Sequence, residues 1–204
     1  MQQIDLVRHG PVAGPAALYG WTDVCLQEES PKCLSWLFMQ SYRHILTSPL
    51  QRCRQSAEAQ AQRLQLELII EPDFKEMNFG LWDAVAFDEL SPYWPGQQNF
   101  WQQPFAVTPP EGESLTAFQQ RVIRAFERHC QYRTGQALWL LHAGVIRLLL
   151  AHLLHIDLRH SHWLQQLSVG YGSVSRISRY NEQSPWQIHC ISAPGLALSK
   201  QDPQ

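Results

Sequence analysis

No stretch of this 204-residue chain is apolar for long enough to cross a bilayer as a helix, so a helical membrane protein is excluded. Neither charge prevails. Lysine and arginine number 16 against 18 aspartates and glutamates, a net charge of −2, and no basic field is there to hold nucleic acid. The five cysteines, Cys25, Cys33, Cys53, Cys130 and Cys190, are scattered, odd in number and without metal spacing. They read as reduced thiols of a cytoplasmic protein, most of them structural. The first residues lack a charged-then-apolar leader, because Asp5, Arg8 and His9 come too early. Internal repeats and low-complexity segments are also missing. What is left is an ordinary globular composition, 45% hydrophobic and 17% charged, enough for one sizeable core.

Against that background one pentapeptide stands out, Leu6-Val7-Arg8-His9-Gly10. Ile4 to Val7 reads as a short apolar strand. A cation, an imidazole and a glycine that permits a sharp turn follow at once. In open α/β sheets, ligands bind at the carboxyl ends of strands. Arginine suits phosphate, because its planar fork donates to two oxygens. Histidine can act as a nucleophile or as an acid/base near neutral pH. Alone, the motif equally fits a structural Arg-His pair at a strand end.

The rest of the chain supplies matching groups. Residues 11–20 are rich in glycine and proline and read as a loop. Ser30 and Pro31 can start a helix that reaches Gln40. His44 to Leu46 is a second strand, and Ser48 and Pro49 are expected to cap and open a helix that runs to about Leu64. Arg52 lies in its first turn, where backbone N–H groups and the dipole favour an anion. Arg54 lies about 200° further round the helix, so the two cannot serve one pocket, and periodicity does not choose between them. Leu66 to Ile70 is a third strand. Glu76 follows among apolar neighbours, a setting in which a carboxyl holds its proton to higher pH, as a general acid must. Residues 85–112 read as an irregular, lid-like insertion. Trp82, Trp94 and Trp101 cluster near it, as core or as pocket wall. Ser114-Leu115 opens an amphipathic helix to about Tyr132.

Ala137 to Leu141 is a continuous apolar run, fit for a central parallel strand. It ends in His142-Ala143-Gly144, and a helix from Val145 to Leu154 follows. Val174 to Tyr180 and Trp186 to Ile191 are expected to form an antiparallel pair at an edge. The tail from Ser199 is polar and is expected to fray. Alternating strands and helices predict an α/β, three-layer sandwich over 1–204, a single domain whose mostly parallel central sheet is flanked by helices. Arg8, His9, Arg52, Glu76 and His142 then fall together at the carboxyl edge. Independent structural roles would scatter them over both ends.

At this point the chain resembles the histidine phosphatase superfamily, also called phosphoglycerate mutase-like. The matching pieces are Leu6-Val7-Arg8-His9-Gly10, Thr47-Ser48-Pro49-Leu50-Gln51-Arg52, Glu76-Met77-Asn78-Phe79-Gly80-Leu81-Trp82, Gly112-Glu113-Ser114-Leu115 and His142-Ala143-Gly144-Val145-Ile146-Arg147, in the family's order. The resemblance implies that Arg52, not Arg54, is the second arginine of a phosphate pocket. It implies that neutral His9 attacks phosphorus and becomes a phosphohistidine. Arg8, Arg52 and His142 would hold the phosphoryl oxygens. Glu76 would protonate the departing alkoxide and then help water attack. No metal and no cofactor is required, and the partner is a small-molecule phosphate ester. A homodimer is left open.

Within the superfamily the nearest likeness is to the α-ribazole phosphatases of cobalamin nucleotide-loop assembly. Leu18-Tyr19-Gly20-Trp21-Thr22-Asp23 and Tyr171-Gly172-Ser173 look like motifs of that group, which puts Tyr19, Thr22 and Trp82 at the substrate rim. There are departures. Leu141 precedes the second histidine where a small hydroxylated residue is usual. Trp82-Asp83-Ala84 replaces tryptophan-glutamate-glycine, and Pro11-Val12 follows Gly10 where an acidic residue and Thr or Ser are common. They bear on the rim more than on the chemistry. Competing readings are a phosphoglycerate mutase, a broad-specificity small-molecule phosphatase and a phosphoprotein-binding module that keeps the pocket. The mutase lacks its Trp-Asn signature here. A metal hydrolase on His152, His155, His160 and His162 has no carboxylate at a supporting spacing.

Overall fold

Apolar residues alternate sides along the central strands, and this sets the layers. In β1 (Gln2–Arg8), Ile4 and Leu6 face one core and Val7 the other. In β4 (Gly135–Leu141), Ala137, Trp139 and Leu141 share the side of Ile4, whereas Leu138 and Leu140 join Val7. With β2 (His44–Thr47), β3 (Leu68–Ile70), β5 (Ser173–Arg179) and β6 (Gln187–Pro194) they form a six-stranded sheet in the order β3-β2-β4-β1-β5-β6. The first four strands run parallel, and β5 and β6 are antiparallel to their neighbours at one edge, as expected. The computed structural model describes residues 1–89, 94–131, 135–159 and 162–195, with the backbone alone for Trp94 and His162. The expectations for Pro92, Tyr132, His160, the side chains of Trp94 and His162, and the tail from Ser199 therefore lie outside the described residues.

The helices are α1 (Ser30–Cys33), α2 (Gln51–Leu64), α3 (Trp94–Gln102), α4 (Leu115–Cys130), α5 (Ala143–Leu153) and α6 (His162–Gln166). Helix α2 lays Cys53, Ala57 and Ala61 on the Val7 side of the sheet, and α4 and α5 cover the Ile4 side. This is the expected three-layer α/β sandwich. Among the described residues no helix is long and apolar enough to cross a membrane.

Three local expectations are corrected. The helix read from Pro31 to Gln40, with Ser30 as its cap, starts at Ser30 and breaks at Leu34 (φ −106°, ψ 4°) into α1 and a 3-10 turn over Ser35–Met39, which buries Trp36 and Leu37. Ser48 does not cap α2. The helix starts at Gln51, whose N–H donates to the Asp23 carboxylate at 2.7 Å, while the Ser48 hydroxyl accepts from Leu50. The segment read as irregular contains α3, with Pro95 in its first turn and Phe100 in the core.

Candidate active site

His9 follows β1 directly and is held from both neighbouring strands. Its N–H donates to the Leu141 carbonyl, and the Gly172 N–H reaches the carbonyls of Arg8 and His9. The ring is almost fully buried, and Nδ1 lies 2.7 Å from the Gly10 carbonyl. A carbonyl only accepts, so Nδ1 carries the proton and Nε2 keeps a free lone pair. Burial first, then the charges of Arg52 and Arg8, hold the pKa of His9 well below its ordinary value. The ring is therefore neutral at pH 7.

Arg8 lies beside it. Its Nη1 donates to the Val169 carbonyl at 2.6 Å, and its guanidinium carbon stacks 3.7 Å over the Tyr171 ring. Nε is buried without a hydrogen-bond partner among the described residues. Nε and Nη2 form one edge of the fork, the edge that binds two oxygens at once. A buried, unspent donor of this kind is costly unless a ligand satisfies it.

Arg52 is buried, whereas Arg54 points to solvent and pairs with Glu58. Of the two, Arg52 lines the cleft. Its Nε donates to His142 Nδ1 at 3.2 Å, Nη1 to Thr22 O at 2.9 Å, and Nη2 to Tyr19 O at 3.0 Å and Gly20 O at 2.7 Å. A guanidinium has five N–H donors in all, so only one, on Nη1, is left for a ligand. Arg8 is the arginine with an open two-pronged edge. Arg52 is a fixed charge with a single free donor.

His142 departs from the expectation. It is the N-cap residue of α5 and has no exposed surface. Nδ1 accepts from Arg52, so Nε2 carries the proton, which points at the Ser48 hydroxyl at 2.7 Å. Its ring lies 5.3 Å from that of His9, centroid to centroid, with the buried Cys53 sulfur 3.5 Å from Nε2. Both nitrogens are committed to protein partners, and His142 is not on the cavity wall. Its ring is thus bonded to Arg52 and Ser48 and does not reach the cleft. Burial and Arg52 also hold its pKa well below the ordinary value.

Glu76 closes the cup from the third strand's loop. It is 9% exposed; Oε1 accepts from its neighbour Met77 N–H at 3.1 Å and Oε2 from Gly144 N–H at 2.9 Å, in the first turn of α5. A Cβ on Gly144 would sit 2.3 Å from Oε1, so any side chain there would push the carboxylate out of this position. The Glu76 carbonyl accepts from Trp21 Nε1 and Arg121 Nη2. Arg121 is paired in turn with Glu113, whose carboxylate also takes the Asn78 N–H.

Arg8, His9, Arg52 and Glu76 line one end of a cleft of about 170 Å³. Its wall mixes these charged groups with apolar side chains, Leu18, Phe79, Phe100, Trp101, Phe118 and Leu164 among them. Of the expected rim residues, Tyr19 lines the cleft. Thr22 reaches the site only through its carbonyl. Trp82 is 2% exposed and packs behind the wall against Phe100, so it is core rather than rim. Sequence reasoning assigned no role to Arg147, although it ends a matched motif. Arg147 lines the cleft, donates to the Leu167 carbonyl, and has no acid partner among the described residues. Among those residues, too, no cluster of metal-ligating side chains forms.

A parallel sheet that delivers a neutral imidazole, two guanidinium groups and a buried carboxyl to one cup defines a protein built for phosphoryl chemistry. The chain belongs to the histidine phosphatase superfamily (branch 1), whose profile matches residues 4–192. It is 33% identical over 107 residues to the bifunctional protein Rv2228c of Mycobacterium tuberculosis, a match that covers 52% of this chain and 29% of that one. It is 27% identical over 198 residues to GpmB of Yersinia pestis, a probable phosphoglycerate mutase, covering 91% of this chain and 88% of the relative. Among solved structures, the α-ribazole phosphatase of Shigella flexneri superposes with a TM-score of 0.81 at 25% identity, over 95% of this chain and 97% of that one.

Proposed function

We propose that this protein is a phosphomonoesterase that works through a phosphohistidine on His9. The observation that carries this reading is the unprotonated Nε2 of His9 beside the unspent Nε–Nη2 edge of Arg8. Arg8 holds two phosphoryl oxygens, and Arg52 adds its fixed charge and one donor. The Nε2 lone pair attacks phosphorus as the ester P–O bond breaks. Glu76 delivers a proton to the departing oxygen. Water then attacks the phosphohistidine, gives its proton to Glu76, and releases phosphate and neutral His9. His142 acts by holding Arg52, and α3 contributes Phe100 and Trp101 to the cleft wall of a single-domain enzyme.

For the substrate we infer α-ribazole 5′-phosphate or a close analogue. The apolar, aromatic cleft supports a flat leaving group, and the likeness to an α-ribazole phosphatase points the same way. A carboxylate-bearing ester such as a phosphoglycerate is the second reading, favoured by the unpaired Arg147 and by the likeness to GpmB. A panel of phosphate monoesters, ranked by kcat/KM, separates them. The expected result is α-ribazole phosphate at the top and a His9→Ala variant without turnover or acid-labile phosphate incorporation. Wild-type turnover by His9→Ala would overturn the mechanism. A phosphoglycerate at the top would overturn the substrate.

A further inference from the structure

Asp83 stands where the resemblance led us to expect glutamate, and the cleft does not use it directly. Its carboxylate accepts three consecutive backbone N–H groups, from Gly20 at 3.0 Å, Trp21 at 2.6 Å and Thr22 at 3.3 Å. The same arch turns its carbonyls the other way. Tyr19, Gly20 and Thr22 are the backbone acceptors that hold Arg52. The arch thus lies between a carboxylate on one side and a guanidinium on the other. A carboxylate that takes a peptide's N–H makes its C=O a stronger acceptor, because bonded chains polarise one another.

The surroundings leave the arch little freedom. A Cβ on Gly20 would meet Met77 O at 2.1 Å and Asp83 Oδ2 at 2.8 Å. Ala84 N–H donates to the Leu18 carbonyl at 2.7 Å, which ties the two segments together. Ala84 itself sits at φ +62°, a conformation that an L side chain rarely adopts. The backbone strain falls at the residue next to the carboxylate.

We propose that Asp83 is a positioning residue for phosphate binding. It acts through the 20–22 arch to aim the one free N–H of Arg52 into the cup. The proposal rests on the phosphatase reading above. Without Asp83 three N–H groups lose their acceptor, the arch relaxes, and Arg52 keeps its charge but loses its direction.

The test uses the full chain and inorganic phosphate as the probe, with Asp83→Asn, Asp83→Glu, Arg52→Lys and the Asp83→Asn/Arg52→Lys double variant. Phosphate affinity is measured by calorimetry, kcat and KM on a fixed ester, and folding by thermal unfolding. Asp83→Asn is expected to weaken phosphate binding by about tenfold or more, a coupling of the size that contacting networks show. Asp83→Glu should recover most of the loss. In the Arg52→Lys background, Asp83→Asn should cost little more, because both act on one group. A folded Asp83→Asn with wild-type phosphate affinity would overturn the proposal, and so would full additivity with Arg52→Lys. If Asp83→Asn loses melting temperature while its folded fraction binds phosphate normally, the role is structural and the proposal fails. Failure of the phosphatase reading looks different: the wild-type chain would then neither bind phosphate nor hydrolyse the ester.

Discussion

His9 is a nucleophile because of what surrounds it rather than what it is. An exposed imidazole would be partly protonated near pH 6.5, but here burial and two guanidinium groups oppose the proton. The same holds for His142. Two predictions follow from the direction of these shifts. The acid limb of kcat/KM, which reports the free enzyme, should fall below pH 6.5. An acid limb centred at or above that value would show His9 to be protonated where the geometry has it neutral. For stability, the unfolded chain binds more protons than the folded one once pH drops below about 6.5. The contribution of each ring is intact above that pH and is lost as pH falls toward the folded pKa. Each should cost about 1.4 kcal/mol per pH unit in that range. Urea unfolding at pH 6.5 and 5.5, above most carboxylate titration, is the measurement, and equal free energies would contradict it. Ala84 gives the opposite kind of test. At φ +62° its methyl group is strained, so Ala84→Gly should raise stability by about 1 kcal/mol. Calorimetry of the variant would refute this if the melting temperature fell.

At the scale of elements, what was legible followed from periodicity. The apolar runs at Ile4–Val7 and Ala137–Leu141 became β1 and β4, paired in parallel from Gln2 with Gly135 to Arg8 with Leu141. Helix α4 opens where Ser114-Leu115 placed it, and the Ser114 hydroxyl caps it by taking the Ala117 N–H. What failed depended on partners distant in sequence. The acceptor for the first N–H of α2 is Asp23, far upstream, so the nearer Ser48 was a reasonable but wrong choice. Asp5 was hidden inside an apolar run. It is fully buried in β1, directly opposite Arg176 of β5, which grips it at 2.7 and 2.8 Å, while Tyr42 donates at 3.0 Å. Shifting the pairing by one residue would part these charges across the sheet faces, so the pair fixes register. Asp5→Ala should therefore cost about 3–5 kcal/mol by leaving Arg176 unpaired. An Asp5→Leu, Arg176→Met double variant should recover much of it. Chemical unfolding of both decides, and an Asp5→Ala loss below about 1 kcal/mol, the range of an exposed pair, would sink the argument.

Across the whole molecule, the groups of the cup come from segments far apart in the chain: the end of β1, the first turn of α2, the loop after β3 and the start of α5. That these groups share one edge of the sheet was legible, because His9 and His142 directly follow β1 and β4, while Arg52 and Glu76 lie in the segments after β2 and β3. The cleft wall was legible only at Tyr19 and, as one of two readings, Trp101; the rest is assembled from side chains such as Phe118 and Leu164, whose shared cavity no local pattern encodes. Nor was the split between the two arginines legible, since it depends on which carbonyls the 19–22 arch presents. A ligand in the cup would tie all these segments together and satisfy the buried Nε of Arg8. Phosphate should then stabilise the entire fold, not one loop. At about 100 times its dissociation constant a ligand that binds only the native state adds about 2.7 kcal/mol. For a chain of this length that is roughly 5–10 °C in melting temperature. Arg8→Gln should abolish the shift while the protein stays folded, and chelator should leave the wild-type shift unchanged. A full shift in Arg8→Gln would mean that phosphate binds somewhere other than beside His9.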